Sequence, residues 1–155
     1  MIEFTTDIQI KRSTDDVFRF IADFENTPKW NYFVTSVNKL STGPVGVGTK
    51  FHQVRKTDQQ EYEVIAFEPP RAIEIQTTAG SVPAFRIRYQ FKPVSGGTHV
   101  RDDWVLETQH NVLIERLGAT RIRTAVIENL GKLKELLETG TARLQDGQIS
   151  RLPTF

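Results

Sequence analysis

The chain opens with hydrophobic and polar residues in alternation. The apolar positions from Ile2 to Ile10 have a period of two, which predicts a strand over Ile2 to Lys11. Residues 13–16 are polar and acidic, as at a helix N-terminus, and the apolar residues after them have helical spacing, so a short helix ending near Asp23 is predicted. Pro28 suits the first turn of a second short helix.

From Val34 onward, short β-rich segments are separated by turn residues. The six predicted strands are residues 34–40, 49–56, 61–67, 71–77, 84–93 and 98–108. The breaks between them lie at residues 43–48, 58–60, 69–70, 80–83 and 95–97. Because these breaks are short, antiparallel pairing is expected.

The last third contains one long predicted helix, from about residues 111–113 to Glu138, which Gly140 stops. Leu113, Leu117 and Ile127 fall off its apolar stripe, so its first turns are expected to be irregular or to pack on another surface. The stripe consists of Gly118, Ile122, Ala125, Val126, Asn129, Leu130, Leu133, Leu136 and Leu137.

These elements predict an α+β protein with a helix-grip layout. A seven-stranded, curled antiparallel sheet wraps around the long C-terminal helix, and two short helices follow the first strand. A length of 155 residues fits a single domain. We expect a ligand-binding domain over residues 1–140 and a tail over residues 141–155. The tail has no clear period and is predicted to be a loop, draped over the body by Leu144, Ile149 and Leu152.

Several short motifs occur in an order that resembles a known superfamily. They are Asp16-Val17-Phe18, Pro28-Lys29-Trp30, Val47-Gly48-Thr49-Lys50-Phe51, Phe67-Glu68-Pro69-Pro70-Arg71, Gly96-Gly97-Thr98-His99-Val100 and the helical run from Asn129 to Glu138. The sequence resembles the START-related, pollen-allergen-like helix-grip superfamily (SRPBCC type), and within it the bacterial polyketide cyclase/dehydrase and lipid-transport group. This resemblance implies a hydrophobic cavity between sheet and helix, which members use to bind lipids, hormones, polyketides or other flat apolar molecules. Some members are enzymes and others carry ligands, so the fold does not decide the activity.

Composition and charge exclude several classes of function. The 20 basic and 19 acidic residues leave a formal charge of +1, which gives no support for nucleic-acid binding. The absence of cysteine excludes disulfides and thiolate sites, and the three histidines are scattered, so neither a metal site nor a cofactor is expected. Neither a membrane-spanning run nor a signal-peptide pattern is visible, so a cytoplasmic location is predicted. A homodimer is compatible with the sequence, but no segment demands one.

The strand predicted over residues 98–108 carries the strongest candidate for chemistry. If Val100 and Leu106 face the core, the period of two places Asp102 on the same face. A carboxyl group in an apolar cavity has a raised pKa and suits general acid catalysis. The alternatives stay open that Asp102 is exposed near a cavity mouth, that Asp103 faces inward instead, and that either carboxylate forms only a structural ion pair. The candidate partners for that ion pair are Arg86, Arg88 and Arg101.

Three other polar residues are candidates for contact with a ligand. Tyr89 lies on the apolar face of its strand, where its hydroxyl either donates to a ligand carbonyl or bonds to the backbone. Asn129 lies near the centre of the helical stripe, so its amide must bond to a neighbouring group, a water or a ligand. His52 is a candidate base near neutral pH, with an ordinary surface or core histidine as the alternative.

Aromatic residues from several elements are predicted either to line the cavity or simply to fill the core. Trp30 and Phe33 lie where the resemblance implies a cavity entrance. Gly118 leaves space on the helical stripe, either for a ligand or for close packing of helix and sheet. The full predicted set of ligand-binding residues is Trp30, Phe33, Phe51, Phe85, Tyr89, Trp104, Gly118, Ile122 and Asn129.

The leading hypothesis is therefore a protein that binds a small hydrophobic ligand, such as a lipid, a polyketide or an aromatic molecule, in a cavity between the sheet and the C-terminal helix. The alternative is a polyketide cyclase or dehydratase that uses Asp102 or His52 as acid or base, with Tyr89 or Asn129 polarising a ketone. A third hypothesis is a protein-interaction module similar to the chaperone-activator branch of the superfamily. The predicted strand over residues 71–77 lacks the tryptophan associated with that branch.

Overall fold

The computed structural model of the protein describes residues 1–108 and 111–153. The elements are β1 (Ile2–Ile10), α1 (Thr14–Ala22), a 3-10 helix (Phe24–Lys29), β2 (Val34–Lys39), β3 (Lys50–Arg55), β4 (Gln59–Glu68), β5 (Ala72–Thr77), β6 (Ala84–Val94), β7 (Gly97–Glu107), α2 (Val112–Thr139), β8 (Thr141–Arg143) and β9 (Ile149–Arg151). The predicted order of a strand, two short helices, six strands and a long helix is confirmed.

The two short helices close one side of the core. Ser13 caps α1 by accepting a hydrogen bond from the backbone N–H of Asp16, and Val17 and Ile21 are buried. The prediction for Pro28 is wrong in one respect, because this residue lies in the last turn of the 3-10 helix. The helix begins earlier, at Phe24, whose ring is buried in the core.

Seven strands form one antiparallel sheet in the order β1-β7-β6-β5-β4-β3-β2. Register irregularities lie between Val34 and Ser36 in β2 and between Val64 and Ala66 in β4. Such bulges bend a strand and increase its twist, which helps the sheet to curl. Gln60 was predicted to lie in a turn, but it is a buried residue of β4 paired with Gln53 of β3.

The long helix α2 lies against the concave side of the sheet along only part of its length. Asn111 caps its start, and Gly140, in the left-handed conformation (φ 87°), ends it. Its fully buried residues begin at Val126 and continue to Leu137. The predicted apolar stripe therefore packs on the core in the C-terminal half of α2, whereas the N-terminal half carries exposed apolar residues.

The tail is a β-hairpin, so the prediction of a loop is wrong. Strands β8 and β9 pair through a turn that contains Gly147. Leu144 is buried and Leu152 packs against the core, as expected, but Ile149 is exposed. A strand of three residues is too short to show a period of two, which is why the pattern was missed. The last two residues of the predicted tail, 154 and 155, lie outside the described residues.

Candidate ligand-binding cavity

A cavity of about 400 Å³ lies between the inner face of the sheet and α2. Ile75 and Ile87 contribute to its apolar wall from the sheet, and Ile122 and Val126 contribute from α2. The volume is in the range of cavities that enclose small organic ligands.

Asp102 is the buried carboxyl group of this cavity. It is only 1% exposed and lines the cavity on the inner face of β7, in the phase that the alternation predicts. Thr6 of β1 donates a hydrogen bond to its Oδ1 atom, and the indole N–H of Trp104 donates to its Oδ2 atom at 2.8 Å. Both oxygens are thus held by neutral donors.

Asp102 is neither exposed at a cavity mouth nor ion-paired with another described residue, and Asp103 does not face inward. Asp103 lies on the opposite face, where it pairs with Arg101 at 3.2 Å. Arg86 and Arg88 form ion pairs with glutamates on the outer face of the sheet. Asp102 has no cationic partner among the described residues. Burial therefore raises its pKa above the usual 3.8, although the hydrogen bonds from Thr6 and Trp104 oppose this effect.

Tyr89 is the direct neighbour of Asp102 across the sheet. The two residues are register partners between β6 and β7, and both line the cavity. Burial raises the pKa of the Tyr89 phenol far above its usual value, and the charge of Asp102 raises it further. The side chain stays neutral and is a hydrogen-bond donor. Its hydroxyl forms no hydrogen bond with another described residue.

Tyr62 of β4 is a cavity residue that the sequence reasoning missed. It is 1% exposed, and its ring stacks on Phe51 with a centroid distance of 5.5 Å. Its hydroxyl is buried without a hydrogen-bond partner among the described residues. Burial, and then the neighbouring Tyr89, raise the pKa of Tyr62 well above 10. The available signal was its alternation with Val64, which predicts that both face inward.

Asn129 also lines the cavity and is buried. Its side-chain oxygen accepts a hydrogen bond from Gln145 of the tail at 3.5 Å. Of the three alternatives that the sequence left open, the structure shows a bond to a neighbouring polar group.

The cavity includes most of the predicted lining residues, but not all. Those that line it are Trp30, Phe33, Phe85, Tyr89, Trp104, Ile122 and Asn129. Phe51 lies outside the lining, in the core against Phe24 and Tyr62. Gly118 is also outside the lining, and no atom of the described residues packed around α2 lies within 4 Å of a Cβ added there, so it neither borders the cavity nor packs closely on the sheet.

His52 does not reach the cavity. It lies on the outer face of β3, between the inward-facing Phe51 and Gln53, and its Nε2 atom is 3.0 Å from the side-chain oxygen of Gln59. The structure therefore brings Asp102 and Tyr89 together and leaves His52 apart. His110 lies outside the described residues.

The charged and more exposed residues of the cavity lining lie at the end of the sheet where β3 and β7 finish, which we take as the cavity entrance. Arg55 and Asp58 line this end and form an ion pair at 3.5 Å, and the exposed Arg121 of α2 lies on the other side. Within residues 1–108 and 111–153, no group of three His, Asp or Glu side chains is placed to hold a metal ion.

Comparisons with solved structures agree with this fold. A START superfamily protein from Mycobacterium smegmatis has a TM-score of 0.70 and 13% identity, with 88% of this chain and 99% of that chain covered. The Aha1 dimer from Colwellia psychrerythraea has a TM-score of 0.66 and 19% identity, with coverages of 90% and 98%. The di-domain ARO/CYC BexL from the BE-7585A biosynthetic pathway has a TM-score of 0.67 and 17% identity, with coverages of 88% and 47%. At these identities the likeness shows the fold alone.

Among curated proteins, none has a significantly similar sequence. One family model, described as polyketide cyclase / dehydrase and lipid transport, matches residues 1–138. This match includes the whole seven-stranded sheet, both short helices and nearly all of α2. The chain therefore belongs to the polyketide cyclase/dehydrase and lipid-transport family, and its helix-grip fold is that of the START-related superfamily.

Proposed function

We propose that the protein binds a small, largely apolar ligand in this cavity and holds one oxygen atom of the ligand at Tyr89 and Asp102. The observation that carries the proposal is an apolar cavity of about 400 Å³ with this pair of polar residues in its wall. The family match supports the proposal, because the family is described by polyketide chemistry and lipid transport.

The ligand oxygen is a carbonyl or hydroxyl oxygen. Tyr89 stays neutral and has a hydroxyl without a protein acceptor among the described residues, so it offers a donor. A carboxylate in the ligand is disfavoured beside Asp102, because the two negative charges would repel each other and Asp102 has no cationic partner among the described residues.

Native mass spectrometry of protein purified from its own cells, followed by extraction, tests the proposal. A co-purifying apolar molecule is expected, and Ala125→Trp should remove it because Ala125 lines the cavity. Thr124→Trp is the matched control, because Thr124 is the adjacent, exposed residue of α2. An empty wild-type protein that also fails to bind apolar fluorescent probes would contradict ligand binding.

A second function, proton transfer on the bound ligand, is favoured by the burial of Asp102. In this reading Asp102 takes a proton from a carbon next to a ketone, and Tyr89 stabilises the developing charge on the ketone oxygen. BexL, a structural neighbour, is a di-domain ARO/CYC protein from the BE-7585A biosynthetic pathway. Asp102→Asn should then abolish turnover of the extracted ligand, whereas the variant should still bind it, because asparagine keeps the side-chain shape and can hydrogen-bond to the ligand oxygen but cannot take a proton. His52→Gln is the control, since His52 lies outside the cavity.

A chaperone-activator-like interaction module is the least favoured function. The cavity favours ligand binding over a filled core, although the Aha1 dimer shares the fold. The cytoplasmic location, the homodimer and the division into a domain over residues 1–140 and a tail over residues 141–155 stay predictions.

A further inference from the structure

Exposed apolar side chains collect at the end of the protein where the cavity opens. Among the described residues, ten large apolar side chains are exposed, and six lie at this end: Met1, Val82, Val112, Leu113, Ile114 and Leu117. Five of them, Val82, Val112, Leu113, Ile114 and Leu117, are here named the apolar rim. Leu113 is 69% exposed and Leu117 is 67% exposed.

The register of the sheet places the apolar rim beside the cavity. Ala84 of β6 pairs with Glu107 of β7, so the segment before β6 and the segment after β7 meet at one end of the sheet. Val82 belongs to the first segment, and α2 begins after the second. Pro83 and Leu106, next to these segments, line the cavity. The apolar rim therefore borders the cavity entrance.

Positive charge accompanies the apolar rim. Arg116, Arg121 and Arg123 are exposed on the same half of α2, and none of them forms an ion pair within the described residues. The nearby Glu115 accepts from the N-terminal ammonium group at 2.6 Å, so its charge is already matched. Three arginines against one neutralised glutamate make this half of α2 basic in a chain whose formal charge is only +1.

We propose that the apolar rim docks on an anionic lipid bilayer. Val112, Leu113, Ile114 and Leu117 enter the interface, and the three arginines contact the lipid headgroups. This arrangement turns the cavity entrance toward the membrane. Exchange of an apolar ligand with the bilayer rests on the proposed function, whereas the docking itself does not.

The arrangement of the apolar side chains favours a bilayer over a protein partner. Val112, Leu113 and Ile114 are consecutive, so they point about 100° apart around the helix. A protein partner, whether a helix or a groove, covers one stripe of a helix. The lipid interface of a bilayer is fluid and can surround the first turn of α2 on several sides. A second copy related by a twofold axis would bring the arginines of α2 close to each other. Within the described residues, no helix is long and apolar enough to cross a membrane, so the contact is peripheral.

The test is co-sedimentation with vesicles of phosphatidylcholine alone and of phosphatidylcholine with phosphatidylglycerol. The wild type should bind the anionic vesicles, and high salt should weaken the binding. The double variant Leu113→Ser/Leu117→Ser should bind about tenfold more weakly, because two exposed leucines no longer enter the interface. Leu40→Ser/Ile149→Ser is the matched control, since these residues are 52% and 51% exposed but lie outside the apolar rim. Arg116→Gln/Arg123→Gln should remove the preference for anionic vesicles.

Two results would overturn the docking proposal. One is a wild type that does not bind anionic vesicles, and the other is equal loss of binding in the apolar-rim variant and in the control. If size-exclusion chromatography shows a wild-type dimer that Leu113→Ser/Leu117→Ser converts to a monomer, the apolar rim is an interface between copies instead. Ala125→Trp separates the two proposals, because it should lose the ligand and keep vesicle binding. Circular dichroism melting of every variant identifies loss of fold.

Discussion

Replacing Tyr62 by Phe should stabilise the protein, which is the opposite of what most core substitutions do. The hydroxyl of Tyr62 is buried without a hydrogen-bond partner among the described residues. Its ring, in contrast, packs closely on Phe51, Phe24 and Phe85, with centroid distances of 5.5, 5.7 and 5.7 Å. Tyr62→Phe removes the hydroxyl and keeps these ring contacts.

The magnitude follows from the cost of an unpaired polar group. A buried hydroxyl without a partner loses its hydrogen bonds to water on folding, at a cost of about 1–3 kcal/mol. Part of this gain is lost because the space that the oxygen filled is left empty. We therefore expect the free energy of unfolding to rise by about 1 kcal/mol, which corresponds to an increase in Tm of roughly 2–4 °C for a domain of this size.

Urea unfolding followed by circular dichroism measures this effect. The midpoint should move to higher urea while the slope m stays constant, because the surface exposed on unfolding is unchanged. Tyr32→Phe is the matched control, since Tyr32 is half-buried and keeps its ring contacts with Phe33 and Lys56. Its free energy of unfolding should change by less than about 0.5 kcal/mol. A Tyr62→Phe protein that is less stable than wild type would refute the reasoning and show that the hydroxyl is satisfied in the folded state.

Two further predictions concern Asp102 and the glycines. Because burial raises the pKa of Asp102 in the folded state, its proton stabilises the fold at low pH, and this contribution is lost as the pH rises above 3.8 through the raised pKa. Asp102→Asn should remove this decline in a series of urea titrations at increasing pH, and an identical pH profile in the variant would contradict it. Gly97→Ala should unfold or severely destabilise the protein in thermal melting, because its Cβ would lie 2.1 Å from the backbone oxygen of Ile10. Gly118→Ala should instead stabilise α2 by up to about 1 kcal/mol, because nothing lies near the added methyl group and alanine favours the helical conformation. Equal melting temperatures of the Gly97→Ala and Gly118→Ala proteins would refute this contrast.

The sheet and the inward direction of Asp102 were predictable from sequence because local periodicity carries that information. In β6 and β7 the alternation extends over eleven residues each, so the phase of every side chain is fixed by several apolar neighbours. Asp102 shares its phase with Val100 and Leu106, which are both buried. The hydrogen-bond partners of that carboxyl group could not be predicted from local periodicity. The donors Thr6 and Trp104 come from β1 and β7, which meet only in the folded sheet.

The remaining site residues depend on contacts that no local pattern contains. In β3 both Phe51 and His52 are compatible with either face, and only pairing with β4 decides that Phe51 faces inward. Pairing with β4 likewise turned Gln60 from a turn residue into a strand residue. The polar residues at the start of β4 have the composition that is typical of a turn, so the predicted strand began at residue 61 and not at Gln59.

The cavity and the exposed apolar residues of α2 occur in the same part of the fold. The C-terminal half of α2 packs in the core through Leu130 and Leu133, and there the apolar stripe is buried. Nearer the start of α2, Ile122 and Val126 border the cavity, whereas Leu113 and Leu117 are exposed and no other element of the described residues covers them. A sequence selected only for stability would carry polar residues at Leu113 and Leu117 and a filled interior near Tyr89. The exposed leucines and the unfilled interior occur in the same part of the fold, which favours a joint role for the cavity and the surface around its entrance.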